Sequence, residues 1–273
     1  MPAAYAHARL GQMVLTDLPD DHRALLERWK SFYTIGLQGP DILLYYRALK
    51  KNPVNSMGDS LHDLSGRAFF TRVKAAVLES TNRSAAQAYA YGLICHFTLD
   101  ALTHGWIAQA IAETGVSHAE IESELERELM REDGLDFRTT SPVKNMKASR
   151  DTAQVLASFY PGITPRQIGE AVRSMVVQSK LLLARSQVKR ELIYAVLRFT
   201  GNYESLQGLV IRPKGNPRCV QTTAALRKLC QTACGRAAAL IREFDGCLRG
   251  GRLTDPLFDV DFNGIIHAKN ERS

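Results

Sequence analysis

Tyr91-Gly-Leu-Ile-Cys-His96-Phe-Thr-Leu-Asp100-Ala-Leu-Thr-His104 sets three metal-favouring side chains four residues apart inside an apolar run. Four residues is slightly more than one helical turn, so on an α-helix His96, Asp100 and His104 stack along one face over two turns. Ile94, Phe97, Leu99 and Leu102 around them predict a largely buried helix, and buried ionisable groups need partners. Cys95 precedes His96 and therefore projects about 100° away from the ladder.

The same step recurs fourteen residues later, where His118 is followed by Glu122 on what reads as a second helix capped by Ser117. Alone, that pair would be a helix-surface ion pair, and Glu120, Glu124, Glu126 and Glu128 beside it read as a solvated acidic face. The trio before it is harder to explain that way. His7, His62, His96, His104 and His118 with Asp41, Asp100 and Glu122 all fall in the first half, and His22 and His267 are the only other histidines. Mixed imidazole nitrogen and carboxylate oxygen favours zinc over calcium or magnesium, which prefer oxygen alone.

Outward from the ladder, almost every periodic stretch predicts helix. A first helix follows Pro2 to about Leu18, and Asp20 or Asp21 caps another running past Trp29. Gly36 to Pro40 breaks the pattern and carries the chain to Asp41, placing that acid where a regular helix could not. Leu61 to Leu78 is periodic, Ser84 caps the ladder helix, and Gly105-Trp106 predicts a turn after it. Residues 149–160, 164–185, 188–200 and 222–249 continue the helical pattern. Thr164-Pro165 and Thr222 mark starts, Gly201-Asn202 and Gly250-Gly251 mark stops, and Ile211 to Arg218 is a loop by its Pro and Gly content. No alternation calls for a strand, and the fold class read from the residues is all-α.

Charge divides along the chain. Residues 1–135 carry a net −4 and residues 136–273 a net +11, so the acidic half holds the candidate ligands while the basic half can draw an anionic substrate or surface. Arg212, Lys214 and Arg218 are the candidate contacts to a substrate phosphate. The 45% hydrophobic content over 273 residues suffices for a sizeable core, and no apolar run approaches the roughly 18 residues of a membrane helix. Five cysteines, Cys95, Cys219, Cys230, Cys234 and Cys247, show no disulfide-framework spacing. Cys230 and Cys234 fit the apolar face of a helix from Leu226 to Leu248. With no export signal at Met1-Pro-Ala-Ala-Tyr-Ala-His7, these thiols suit a reduced, cytoplasmic protein.

The ordered set Tyr5-Ala-His7, Gly36-Leu-Gln-Gly-Pro-Asp41, Met57-Gly-Asp-Ser-Leu-His62, the His96/Asp100/His104 ladder and His118-x-x-x-Glu122 resembles the zinc-dependent phospholipase C family of bacteria. The wider superfamily includes the single-strand-specific zinc nucleases of fungi and plants. The resemblance implies a single multi-helical domain over residues 1–273, with a metal-ligand core at 1–135 and a helical C-terminal half packed on it. It also implies two or three Zn2+ ions. By that resemblance His62, His96 and Asp100 hold one zinc, and His104, His118 and Glu122 a second. His7 and the N-terminal amine hold a third, bridged to the first by Asp100, and Asp41 is the general base or orienter of the attacking water.

Zinc lowers the pKa of a bound water from about 15.7 towards 7, so metal-bound hydroxide attacking a phosphodiester is the expected chemistry. The expected substrate is a phosphate ester of phospholipase C type, with phospholipid as the leading class. Single-strand nuclease activity on nucleic acid is the second expectation, and Tyr45, Tyr46 and Trp106 are its candidate stacking surfaces. A non-catalytic, metal-stabilised helical protein is the third. Oligomeric state is not legible.

Overall fold

In the computed structural model, which describes residues 4–267, polar side chains cap the starts of α-helices at Asn52, Ser65, Asn82, Ser117, Ser149, Thr164 and Ser186. Among these residues thirteen α-helices follow one another, and the only β feature is an isolated antiparallel bridge between Val260 and Ile266. The chain is all-α, as expected. The N-terminal part holds α1 (Ala4–Asp17), α2 (Asp20–Arg28), α3 (Lys30–Gly36), the single turn α4 (Asp41–Leu44), α5 (Pro53–His62) and α6 (Gly66–Glu79). The long α7 (Arg83–Thr114) and α8 (His118–Glu132) complete the ladder region. Then come α9 (Arg150–Ala157), α10 (Pro165–Leu182), α11 (Gln187–Phe199), α12 (Tyr203–Leu206) and α13 (Val220–Leu248).

Several boundaries differ from the sequence expectation for identifiable reasons. Neither Asp20 nor Asp21 caps α2, which opens after Pro19 without a side-chain cap, and the helix is interrupted at Trp29 before α3. Leu61 to Leu78 is two helices: α5 ends at His62 and the Ser65 side chain accepts the Ala68 N–H to open α6. Asn82, not Ser84, caps α7 by accepting the Ala85 N–H at 3.2 Å. Gly105-Trp106 makes no turn. A mid-helix glycine costs roughly 1 kcal/mol, but Ile107 and Ala110 beyond it are buried and hold α7 straight to Gly115, whose φ of +66° ends it. Ser117, Thr164 and the glycine stops at 201 and 250 act where expected.

The core is organised around α7, which packs chiefly against α3 and α13 and also touches α1, α6 and α8. The α3 crossing is backbone on backbone. A Cβ at Gly36 would lie 2.4 Å from the Tyr89 carbonyl oxygen and one at Gly92 2.5 Å from that of Tyr33, so both positions need glycine. That closeness lays residues 37–41 directly along the ladder face of α7.

Beyond α13 the chain doubles back as an arm. Gly66 N–H donates to Val260 O at 2.8 Å and Phe262 N–H to His62 O at 3.2 Å, while Phe258 and Phe262 are fully buried against Phe97. A small second core of Ala184, Tyr194, Leu197 and Val210 lies apart from the main one and carries α11. All five cysteines are buried and unpaired, Cys230 and Cys234 on the inner face of α13 as read from periodicity. No helix among the described residues is long and apolar enough to cross a membrane.

Candidate metal centre

Five elements deliver the predicted ligands to one place. The inner face of α7 supplies His96, Asp100 and His104, α1 supplies His7, and α5 ends in His62. The Gly36–Pro40 turn supplies Asp41 as the first residue of α4, and the first turns of α8 supply His118 and Glu122. Three triads result, His7/His96/Asp100, Asp41/His62/His96 and His104/His118/Glu122, the first two sharing His96 and each with donor atoms within 4.8 Å of one another.

The imidazoles are aimed by backbone carbonyls. A carbonyl can only accept, so His62 donates Nδ1–H to Gly58 O at 2.7 Å and His96 donates Nδ1–H to Leu37 O at 3.2 Å. Both therefore present an unprotonated-capable Nε2 to the centre, the arrangement by which outer contacts orient metal-binding histidines. The His96 ring is stacked on that of His7 with centroids 4.1 Å apart, and lies against Gly39. At Gly39 φ is +57°, and a Cβ there would meet the His96 Cδ2 at 2.2 Å.

Asp100 faces both ways. Its Oδ2 is 3.0 Å from His96 Nε2 and 4.0 Å from His62 Nε2, while Oδ1 is 3.3 Å from His7 Nε2 and 3.7 Å from His104 Nε2. Asp41 Oδ1 is 3.0 Å from His62 Nε2 and 3.9 Å from His96 Nε2, which puts it inside the donor cluster and not to one side of it. Glu122 Oε1 joins His118 Nε2 at 3.2 Å and His104 Nε2 at 3.7 Å. His118 is the opening of the centre, its side chain 43% exposed, whereas His96 is fully buried.

These approaches are short, yet six buried atoms of the group have no aligned hydrogen-bond partner: His7 Nδ1, Asp41 Oδ1, His62 Nε2, His96 Nε2, His104 Nδ1 and Glu122 Oε2. Buried polar atoms without aligned partners cost free energy, and the imidazoles and carboxylates here meet only as pairs 3.0–4.0 Å apart, an arrangement that a cation between them would satisfy further. Donors converging without bonding one another are what a cation requires, and nitrogen with oxygen in this ratio fits zinc. The residues present fit the metal.

The charges agree. Burial opposes ionisation of Asp100, but His96, His104 and His7 outweigh it and hold the carboxyl well below its usual range. Glu122 is likewise held low, against its burial, by His104 and His118. Burial alone would lower His62 and His104, yet the Asp41 carboxylate lifts the first to about 8 and Asp100 with Glu122 lift the second to about 9. His7, fully buried and beside His96, is pushed down.

Other predicted residues lie elsewhere. Arg212 pairs with Glu120 at 3.3 Å, Arg218 donates to the Thr114 carbonyl at the end of α7, and Lys214 is exposed on the intervening loop. None belongs to the three triads. The acidic face of α8 is not solvated: Glu124 and Glu126 are buried, Glu124 paired with Arg127 at 2.6 Å. The N-terminal amine expected as a ligand lies outside the described residues.

Three residues beside the centre, Phe262, Glu126 and Tyr45, were not assigned these places by the sequence. Phe262, from the C-terminal arm, packs edge-on to His62 at 5.1 Å and against His96 at 6.0 Å, walling the centre with an apolar ring. Glu126 and Tyr45 line a cavity beside the centre whose other walls are largely apolar, among them Met130, Phe137, Met175 and Leu183. Tyr45 comes one turn after Asp41 and Glu126 one turn after Glu122, so that wall adjoins two of the ligands.

Comparison with curated proteins and with solved structures returned no match. A family profile described as zinc-dependent phospholipase C matches residues 6–171, well over half of the chain, and that span contains every described ligand of the three triads. With helices throughout, a histidine–carboxylate centre and this match together, the chain belongs to the zinc-dependent phospholipase C family.

Proposed function

We propose that the protein hydrolyses a phosphodiester of phospholipid type at a centre holding two or three zinc ions. His62, His96 and Asp41 form one donor set, His104, His118 and Glu122 a second, and Asp100 spans between them with His7 on its Oδ1 side. Zinc bound there supplies Lewis acidity, both to ionise water near neutral pH and to offset charge building on the phosphoryl oxygens.

The chain's own residues do the rest. Gly58 and Leu37 carbonyls fix the imidazole orientation, Phe262 excludes water from the inner side, and the exposed edge at His118 admits the ester. Asp41, expected from the resemblance to act as base, is proposed instead as a ligand, because its oxygen sits among the imidazole nitrogens.

The observation that carries the reading is Asp100, a fully buried carboxylate whose two oxygens each face a different pair of imidazoles. The apolar cavity beside the centre favours an ester with an apolar portion. It speaks against single-stranded nucleic acid, since Tyr46 is buried, Tyr45 is half-buried and only Trp106 of the three candidate stacking rings is exposed.

The test offers zinc-loaded protein short-chain phosphatidylcholine, bis(p-nitrophenyl) phosphate and single-stranded DNA in parallel, with metal content measured alongside. Release of phosphocholine with at least one zinc per chain is expected. Cleavage of DNA alone, or less than one bound metal after reconstitution, overturns the proposal.

A further inference from the structure

The outer side of α11 is apolar where a surface helix should be polar. Val188, Leu192, Val196 and Phe199 are 80%, 64%, 53% and 93% exposed. At about 100° per residue they fall on one stripe, and Tyr194 and Leu197, buried in the second core, fall on the opposite side. A singly exposed leucine needs no explanation, but four large apolar side chains aligned along one short helix mark an interaction surface.

The surroundings are cationic. Lys189 on α11, with Lys180 and Arg185 leading into it, stands against a single acid on the helix, Glu191, while Arg190 and Arg198 turn to the inner side, Arg190 to the Ala184 carbonyl and Arg198 over the Tyr203 ring. The whole half from residue 136 onward carries a net +11. An exposed apolar stripe edged by lysine and arginine is the composition of a helix lying in a lipid interface, its apolar side among acyl chains and its cations at headgroup phosphates. A second copy of this chain fits poorly, because pairing through the stripe would bring the same cations together.

The position also suits a lipid substrate. Leu182, Leu183 and Ala184 line the cavity beside the metal centre, and three residues later the chain enters α11.

We propose that the outer face of α11 docks the protein onto an anionic lipid bilayer. Preference for a bilayer over an acidic protein rests on the phospholipid reading of the metal centre, so binding and hydrolysis are measured separately. Full-length protein is sedimented with phosphatidylcholine vesicles with and without phosphatidylserine, at low and at raised salt, and compared with Leu192→Ser/Phe199→Ser and Lys180→Glu/Lys189→Glu.

The parent protein is expected to partition onto phosphatidylserine vesicles and to be released by salt. The apolar double variant should lose about tenfold or more of that partitioning, and the charge variant should lose the preference for phosphatidylserine. Both should keep the parent unfolding temperature and the parent rate on bis(p-nitrophenyl) phosphate. Parent protein that stays in the supernatant, an apolar variant that partitions like the parent, or a solution dimer that this variant splits would each overturn the proposal. Vesicle binding without hydrolysis of any ester would leave the surface standing and remove the catalytic reading.

Discussion

Zinc uptake should release protons, by an amount that the site's electrostatics set. In the metal-free protein the Asp41 carboxylate raises His62 to about 8, against burial, and Asp100 with Glu122 raises His104 to about 9. At pH 7 these rings are roughly nine-tenths and almost fully protonated, so loading both donor sets expels about two protons from them. Calorimetric titration of chelated protein with zinc, in buffers of differing ionisation enthalpy, reads that number as a slope. Binding should strengthen as pH rises towards 9, and the release should fall once both rings are already neutral. Stability of the metal-free form runs the other way. Both folded values lie above the unfolded 6.5, so their contribution is complete below pH 6.5 and is lost as pH climbs through about 8 and 9. The shifts correspond to about 2 kcal/mol for His62 and about 3 kcal/mol for His104. Chelated protein should therefore unfold at lower denaturant at pH 9 than at pH 6.5, while zinc-loaded protein should not. Tight zinc binding at pH 7 with release of less than one proton would refute the electrostatic account of the centre.

Asp100→Asn removes the charge between four imidazoles and should cost at least one zinc per chain and on the order of a hundredfold or more in turnover; unchanged metal content by mass spectrometry would end its bridging assignment. Asp41→Asn should lower metal content as well as turnover, since Oδ1 lies 3.0 Å from His62 Nε2; full metal with lost turnover would return Asp41 to the role of base. Gly39→Ala forces a Cβ into the His96 ring at a φ of +57° and should destabilise by about 2–4 kcal/mol in denaturant unfolding; a change below about 0.5 kcal/mol would mean that the turn relaxes freely.

The ladder was legible because three ligands share one helix, and a fixed rise per residue turns spacing into geometry. His118 and Glu122 were legible for the same reason. What linked them was not: the distance from His62 to His96 depends on α5, the arm and α7 packing together, which no local period encodes. The break at Gly36–Pro40 pointed to Asp41, but its place among the imidazoles follows from the Gly36–Gly92 crossing, a contact between residues 56 apart. The misplaced α7 cap and the expected turn at Gly105 show local signals giving way to tertiary burial. Phe262 lies 158 residues past His104, in a segment with no helical period to read. The acidic run of α8 misled because five glutamates in nine residues look solvated, whereas α8 lies against α1 and α13 on its inner side.

Glu126 explains why that run is buried. The first N–H groups of a helix have no partner within it, and at α1 the Tyr5 and Ala6 N–H groups donate to the Glu126 carboxyl. The α1 start that carries His7 is thus fastened to α8, which carries His118 and Glu122. Burial, with the Glu122 charge nearby, raises Glu126 to about 8, so near neutral pH it is largely uncharged and the acidic centre is spared a further negative charge. Glu126→Gln keeps an accepting oxygen without charge and should retain stability and zinc content. Glu126→Ala leaves two donors unmet next to a cavity and should cost about 1–3 kcal/mol, weakening zinc retention through His7. If the glutamine variant loses zinc as fully as the alanine variant, the carboxylate's charge and not its accepting oxygen is what the site requires.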